Sequence, residues 1–329
     1  MPDLDPSFLI CSERSGSNLL RSILNAHSQI HAPQPIHLGA FWERAGEFGD
    51  LGEDRRWRAL LGAVVDFLGE WRGSLGAGLQ FELDGLAEAL SERSFAAIYG
   101  HIYGEALARS GKAKLFIKEN HTAQRAPLFL AAHPQARFVL QIRDPRDVVA
   151  SCKRMTRYKY GSAEGATAMW RADQRAALEL AERLPAEQLF TLRYEDLTAS
   201  PEAVLSKLCA FLGVDYEAGM LEFHGSEDAR RAADNSEAWR NLARPLMRDN
   251  SGRYAQTLTP EEVATVEAGA GALMARLGYA AQDPSRSQAE AAGGDASLHL
   301  QRLEDGSSGA LVQAAIDRHL GLLAGGGPG

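Results

Sequence analysis

Cysteine is scarce: Cys11, Cys152 and Cys209 are the only three in 329 residues. They are too few and too scattered for a disulfide framework or a complete metal set, so they read as small core residues in a reducing compartment. No uninterrupted run approaches the ~20 apolar residues that cross a bilayer. Met1–Ser7 carries acidic residues and no positively charged start, so no secretory signal is visible and a cytoplasmic location is expected. Positive charge is in deficit, with Lys+Arg 35 against Asp+Glu 43 and a net charge of −8. That balance disfavours nonspecific binding to nucleic acid or an acidic membrane surface, and any anion site must be focal. At 45% hydrophobic, 24% charged and 8% aromatic residues, the composition is that of an ordinary globular protein.

Four short apolar runs carry strand character: Phe8–Cys11, Lys114–Ile117, Arg137–Ile142 and Leu189–Leu192. Segments of helical period lie between and after them, at about 17–26, 146–157, 163–184, 201–213 and 260–277. This alternation predicts an α/β fold with a three-layer parallel sheet. Ser200-Pro201-Glu202 and Thr259-Pro260-Glu261 each place a capping hydroxyl before a first-turn proline and an acid. Residues from about 39 to 110 lack a clear strand and carry Trp42, Trp57 and Trp71 among helical patterns. They read as a helical, substrate-meeting insertion at the sheet's carboxyl edge, although each Trp alone is more simply a core residue. The expected organisation is a domain over 1–280 and a flexible tail over 281–329, with an amphipathic helix near 309–323.

Two segments carry chemistry. In Phe8-Leu-Ile-Cys-Ser-Glu-Arg-Ser-Gly-Ser-Asn-Leu-Leu20 a strand runs through a polar turn into an apolar-faced helix. Backbone N–H groups and the Ser15, Ser17 and Asn18 side chains converge at a helix N-terminus, a place suited to a phosphate-like anion. The nucleotide-triphosphatase loop would need four residues between glycines and a Lys-Ser/Thr pair, and neither is present. Arg14 supplies the charge instead, with a fork that can hold two oxygens. In Phe138-Val-Leu-Gln-Ile-Arg-Asp-Pro-Arg-Asp-Val-Val-Ala-Ser151 a buried strand delivers Arg143 to its carboxyl end. Ser151, on the following helix, can approach the same oxyanion from another side. Arg146 and Asp147 read as a cap and surface charge at that helix start.

Together these segments resemble the phosphoadenosine-phosphosulfate-dependent sulfotransferase family. Arg14-Ser-Gly-Ser-Asn18 is similar to its 5′-phosphosulfate loop, and Arg143 with Ser151 to its 3′-phosphate motif. The likeness continues through Leu192-Arg-Tyr-Glu-Asp-Leu197, Pro201, Leu208-Cys-Ala-Phe-Leu-Gly213 and Arg248-Asp-Asn-Ser-Gly-Arg-Tyr254, spanning about residues 7–279. The resemblance implies a P-loop-like sheet related to nucleotide kinases. It also implies the donor 3′-phosphoadenosine-5′-phosphosulfate (PAPS), with the bisphosphate PAP as product. By residue-level carry-over Ser15, Gly16, Ser17 and Asn18 hold the 5′ phosphosulfate, Arg143 and Ser151 the 3′ phosphate, and Tyr194 the adenine. Arg248 and Arg253 fall in the late segment that closes over the 3′ phosphate, with Arg248 as a contact.

The implied reaction moves a sulfuryl group in line to an acceptor hydroxyl while charge grows on the departing nucleotide, so cations must meet that oxygen. Arg14 and Lys118, the latter resembling the family's second active-site lysine, are the candidates. The acceptor's proton needs a base within hydrogen-bond reach. His37 is the first choice, near a position where relatives place an acid but this chain has Gln34 and Pro35. His121 follows closely, and Glu119 is third. The expected acceptor is a small molecule, a carbohydrate or a carrier-tethered hydroxyl, with no nucleic acid, no membrane insertion and no metal. The rivals are a nucleotide or small-molecule kinase on a related fold, weakened by the missing Lys-Ser/Thr step, and a non-catalytic bisphosphate-nucleotide-binding protein.

Overall fold

In the strand sequences, apolar side chains point alternately to the two faces of the sheet, and both faces are buried. Phe8, Ile10, Leu115, Ile117, Phe138 and Leu140 join one core, while Leu9, Phe116 and Val139 join a second on the opposite face. The computed structural model describes residues 4–71, 79–155, 160–235, 237–282 and 307–324. Its strands are β1 (Pro6–Cys11), β2 (Ile30–His31), β3 (Lys114–Lys118), β4 (Arg137–Ile142) and β5 (Leu189–Arg193). They form one five-stranded sheet in the order β2-β3-β1-β4-β5, every pair parallel. The four expected strands are present; β2, at two residues, is too short to show a period.

Helix α1 (Ser17–Asn25) follows β1. The interval before β3 holds α2 (Gly39–Arg44), α3 (Asp54–Glu70), α4 (Leu83–Ala89) and α5 (Phe95–Ser110). Then come α6 (Thr122–Ala132), α7 (Pro145–Lys153), α8 (Ala163–Ala181), α9 (Tyr194–Ala199), α10 (Pro201–Leu212), α11 (Glu227–Asn235), α12 (Pro260–Arg276) and α13 (Ser307–Ala324). Helices α1 and α10 cover one face of the sheet; α2 to α8, α12 and α13 contribute to the core on the other. Of the two capping hydroxyls read from the sequence, Thr259 closes a full capping box with Glu262. Ser200 makes no side-chain cap bond, because α9 ends directly before it and its backbone already joins the two helices.

Trp57 is buried, and Trp42 packs among Phe95, Tyr99 and Phe129, so both fill core. The helix expected in the tail exists as α13, and it is not a loose appendage: Val312, Ala315 and Ile316 are buried and the helix packs on α3. For residues 307–324 the expectation of flexibility therefore gives way to a docked helix; the rest of the tail beyond 282 lies outside the described residues. Among the described residues, no helix is long and apolar enough to cross a membrane.

The topology places the chemistry. From β1 the chain leaves toward β2 and β3, and from β4 it leaves toward β5, so β1 and β4 flank the switch point where such sheets open a crevice. The two motif turns emerge there side by side.

Candidate active site

The turn after β1 is tied down on three sides. Ser15 N–H donates to Ser12 O at 3.3 Å, Gln174 Nε2 to Ser12 Oγ at 3.0 Å, and Gln141 Nε2 to Ser15 O at 3.1 Å. Arg14 adopts φ 65° and Gly16 φ 87°, both left-handed, so the chain reverses sharply and enters α1 at Ser17. Gly16 is required twice over. Its φ suits glycine, and a Cβ there would sit 2.5 Å from the Tyr194 ring. The first-turn amides of Ser17 and Asn18 have no upstream helical carbonyl to bond and face the dipole-positive end of α1.

Arg143, at the end of β4, reaches across to this turn. Its Nη1 donates to Arg14 O at 3.0 Å and its Nη2 to Asn250 O at 3.1 Å, while Nε is buried without a hydrogen-bond partner. The guanidinium lies 4.1 Å from the centre of the Tyr194 ring, whose hydroxyl accepts from Asn250 Nδ2 at 2.7 Å. Arg14 Nε donates to Ser151 Oγ at 3.1 Å. Arg14, Gly16, Ser17, Asn18, Arg143, Ser151 and Tyr194 thus line one cleft of about 310 Å³. Arg154 lines the same cleft. Desolvation, together with the neighbouring charges of Arg143, Arg253 and Arg14, pulls the Arg154 guanidinium below its ordinary value. Cations so crowded favour an anion among them.

A second group of candidates lies at the end of β3. Lys118 is buried beside the turn, its ammonium lowered by burial against the opposing influence of Cys11, Glu13 and Glu119, and its Nζ donates to Asn120 Oδ1 at 2.8 Å. The Cys11 thiol is pushed up to about 11 by burial, with Lys118, Ser17 and Asp173 among the groups acting on it. Glu119 is buried and raised by that burial. Its two oxygens are committed to structure, accepting from Gly39 N–H at 2.8 Å and Tyr103 Oη–H at 3.0 Å. His37 packs its ring edge to face on Trp71 at 5.2 Å, and Trp71 Nε1 donates to Pro35 O. His121 occupies the N-cap position of α6 without a side-chain cap bond, its Nδ1 3.8 Å from Asp173 Oδ1. Among the described residues the only non-glycine positions with positive φ are Arg14, His37 and His121. Such backbone costs free energy and tends to persist where side chains must be aimed.

A family model described as "Sulfotransferase family" matches residues 6–218. The chain belongs to this family. Protein-tyrosine sulfotransferase A of Caenorhabditis elegans is 22% identical over 284 residues, 81% of this chain and 65% of that protein. A Caenorhabditis briggsae protein named for the same activity is 24% identical over 217 residues, 64% of this chain and 66% of its own. The chain therefore spans just under two thirds of the length of either relative. In fold it is similar to the sulfotransferase domain from the curacin biosynthetic pathway, with TM-score 0.57 and 21% identity over 85% of this chain and 99% of that one. The sulfotransferase domain of the Synechococcus PCC 7002 olefin synthase gives 0.56 and 23%, over 81% and 95%.

Ser15, His37, Lys118, His121 and Arg248, also singled out in the sequence, are not among the residues that line the cleft. Ser15 is buried beneath the turn, and its Oγ has no hydrogen-bond partner among the described residues. Arg248 is exposed and pairs with Glu202 of α10 at 3.1 Å. Arg146 is no surface charge. Its guanidinium is buried between Asp144 at 2.7 Å and Glu267 at 2.9 Å. Asp147 accepts from the amides of Gly252 and Tyr254, anchoring the late segment beside Arg143. Sequence reasoning missed Arg154, which stands three residues after Ser151 and so on the same side of the chain's path. It also missed Trp239, in a short 3-10 helix over Glu237–Ala243, and Asn250, in irregular backbone; neither segment is long enough to show a period.

Proposed function

We propose that the chain transfers a sulfuryl group from PAPS to an acceptor hydroxyl. One observation carries the reading: Arg14 and Arg143, 129 positions apart, meet at 3.0 Å on a single cleft. The residues present suit a doubly phosphorylated nucleotide. Arg143 keeps a buried Nε without a partner, and Arg154 sits among cations that an anion would relieve. The amides of Ser17 and Asn18 with Arg14 would hold the 5′ group, and Arg143, Ser151 and Arg154 the 3′ phosphate. Tyr194 and Trp239, both in the cleft lining, would meet the base.

PAPS, when bound, supplies the sulfuryl group and a nucleotide leaving group that gains negative charge. Arg14 and Lys118 are the cations assigned to that charge. Lys118 is suited to it because a buried ammonium gains most from a new anion nearby. His121, with Nδ1 toward Asp173, would take the acceptor's proton at Nε2. The carboxylate behind it favours His121 over His37, whose ring is engaged with Trp71. The acceptor is a hydroxyl of a small molecule, a carbohydrate or a carrier-tethered chain, and the relatives' names add the tyrosine side chain to that set.

The test has two stages. Adenosine 3′,5′-bisphosphate at a hundredfold excess over Kd should add about 2.7 kcal/mol of stability, with ATP giving much less. Labelled sulfate should then pass from PAPS to an acceptor, with turnover lost in His121→Ala and retained in His37→Ala. Equal stabilisation by both nucleotides would return the chain to the kinase reading, and binding without transfer to the non-catalytic one.

A further inference from the structure

Asp173 is a carboxylate in the wrong place for a structural helix residue. It lies in the third turn of α8, beyond the reach of the helix N-terminus, on the stripe that otherwise carries Ala166, Met169, Trp170 and Ala177 into the core. Its side chain is 6% exposed. Burying a carboxylate costs several kcal/mol unless charged or hydrogen-bonding partners receive it. Two are close at hand. Gln124 Nε2 donates to Oδ1 at 3.4 Å, and His121 Nδ1 lies 3.8 Å from the same oxygen. The next residue, Gln174, binds Ser12 of the turn after β1. One turn of α8 therefore touches both the anion turn and the histidine.

His121 is fixed from its backbone as well. Its φ of 56° sets the direction of the side chain, its carbonyl accepts from Arg125 N–H at 3.1 Å, and Thr122 Oγ1 bonds Glu119 O. The main chain thus sets where the ring stands, with the Asp173 carboxylate 3.8 Å from Nδ1.

We infer that Asp173 is a positioning residue for the transfer reaction: its carboxylate, 3.8 Å behind Nδ1 of His121, favours the ring with its proton on Nδ1 and so keeps the lone pair on Nε2, where the acceptor's proton is received. This rests on the assignment of His121 as the base. During proton transfer the hydroxyl hydrogen moves to Nε2, the imidazole becomes imidazolium, and Asp173 stays ionised and balances the new charge. The carboxylate takes no proton and touches no substrate.

The test is a double-mutant cycle on the full chain, with PAPS as donor and any acceptor found active. Asp173→Asn should lower kcat by about 100-fold, within the usual range for general-base catalysis, while KM for PAPS and the thermal shift with adenosine 3′,5′-bisphosphate stay at parental values. Asp173→Glu should recover part of the loss. In a His121→Ala background, Asp173→Asn should have no further effect, because the two act as one unit. Parental turnover in Asp173→Asn, or a full additional loss on top of His121→Ala, overturns the positioning role while leaving His121 in place. Parental turnover in His121→Ala instead overturns the base assignment itself. Should Asp173→Asn not fold, ¹⁵N NMR of the wild-type chain decides. A neutral His121 protonated at Nδ1, assigned by its disappearance in His121→Ala, supports the inference, and protonation at Nε2 overturns it.

Discussion

At the scale of single residues, the site depends on a few side chains whose environment sets their chemistry. Arg143→Ala removes charge-assisted contacts and little core volume, so bisphosphate affinity should fall by about 10- to 100-fold, at 1.5–3 kcal/mol for a charged hydrogen bond. Isothermal titration would measure this, with the circular dichroism spectrum of the free variant as the control for a retained fold. Gly16→Ala puts a methyl into the Tyr194 ring and strains a left-handed backbone; the bisphosphate-induced thermal shift should disappear. Glu119 has its carboxyl raised above the ordinary 4.5 by burial. The folded state thus binds its proton more tightly than the unfolded chain. Its contribution is whole at acid pH and declines as pH rises past the ordinary value. Glu119→Gln keeps a carbonyl oxygen for Gly39 N–H and removes that decline, so urea midpoints of the variant should gain on the parent between pH 4 and 8. Arg14, Arg143 and Lys118 were legible as cations at strand ends. The commitment of Glu119 to Gly39 and Tyr103 was not, because those partners lie on other elements.

At the scale of elements, period and punctuation read well. The strand over Arg137–Ile142 has the bounds read from the sequence, and α1, α8, α10 and α12 start where their apolar stripes and first-turn residues place them. Caps were harder to judge. Thr259→Ala should cost about 1 kcal/mol in a urea titration, the usual loss for a working cap, whereas Ser200→Ala should stay within about 0.5 kcal/mol. Both hydroxyls look alike in sequence. The difference is that α9 runs directly into α10 and alters the backbone at Ser200, which local pattern does not encode. Short elements such as β2 escape for a related reason: two residues in the sheet are held by pairing with β3, not by their own pattern.

At the scale of the whole molecule, α13 closes the apolar surface of α3. Arg318 pairs with Asp66 at 2.7 Å and with Glu70, and the His319 ring lies where a side chain on Gly62 would stand. Ending the chain after residue 306 would expose the surface covered by Val312 and Ile316, at a cost of about 3–5 kcal/mol from the burial of two branched side chains. Chemical denaturation would check this. Because α13 also touches α2, which begins two residues after His37, the shortened chain should change KM for the acceptor more than for the donor. The amino-acid order alone determined four of the five strands and which turns carry guanidinium groups, since periodicity, proline and glycine act within a few bonds. Only the folded chain decided that Arg14 stands against Arg143, that Arg248 faces Glu202, and that Asp173 stands behind His121. Those pairings join residues far apart in sequence, and their geometry follows from strand order and helix packing, which exist only once both faces of the sheet are buried.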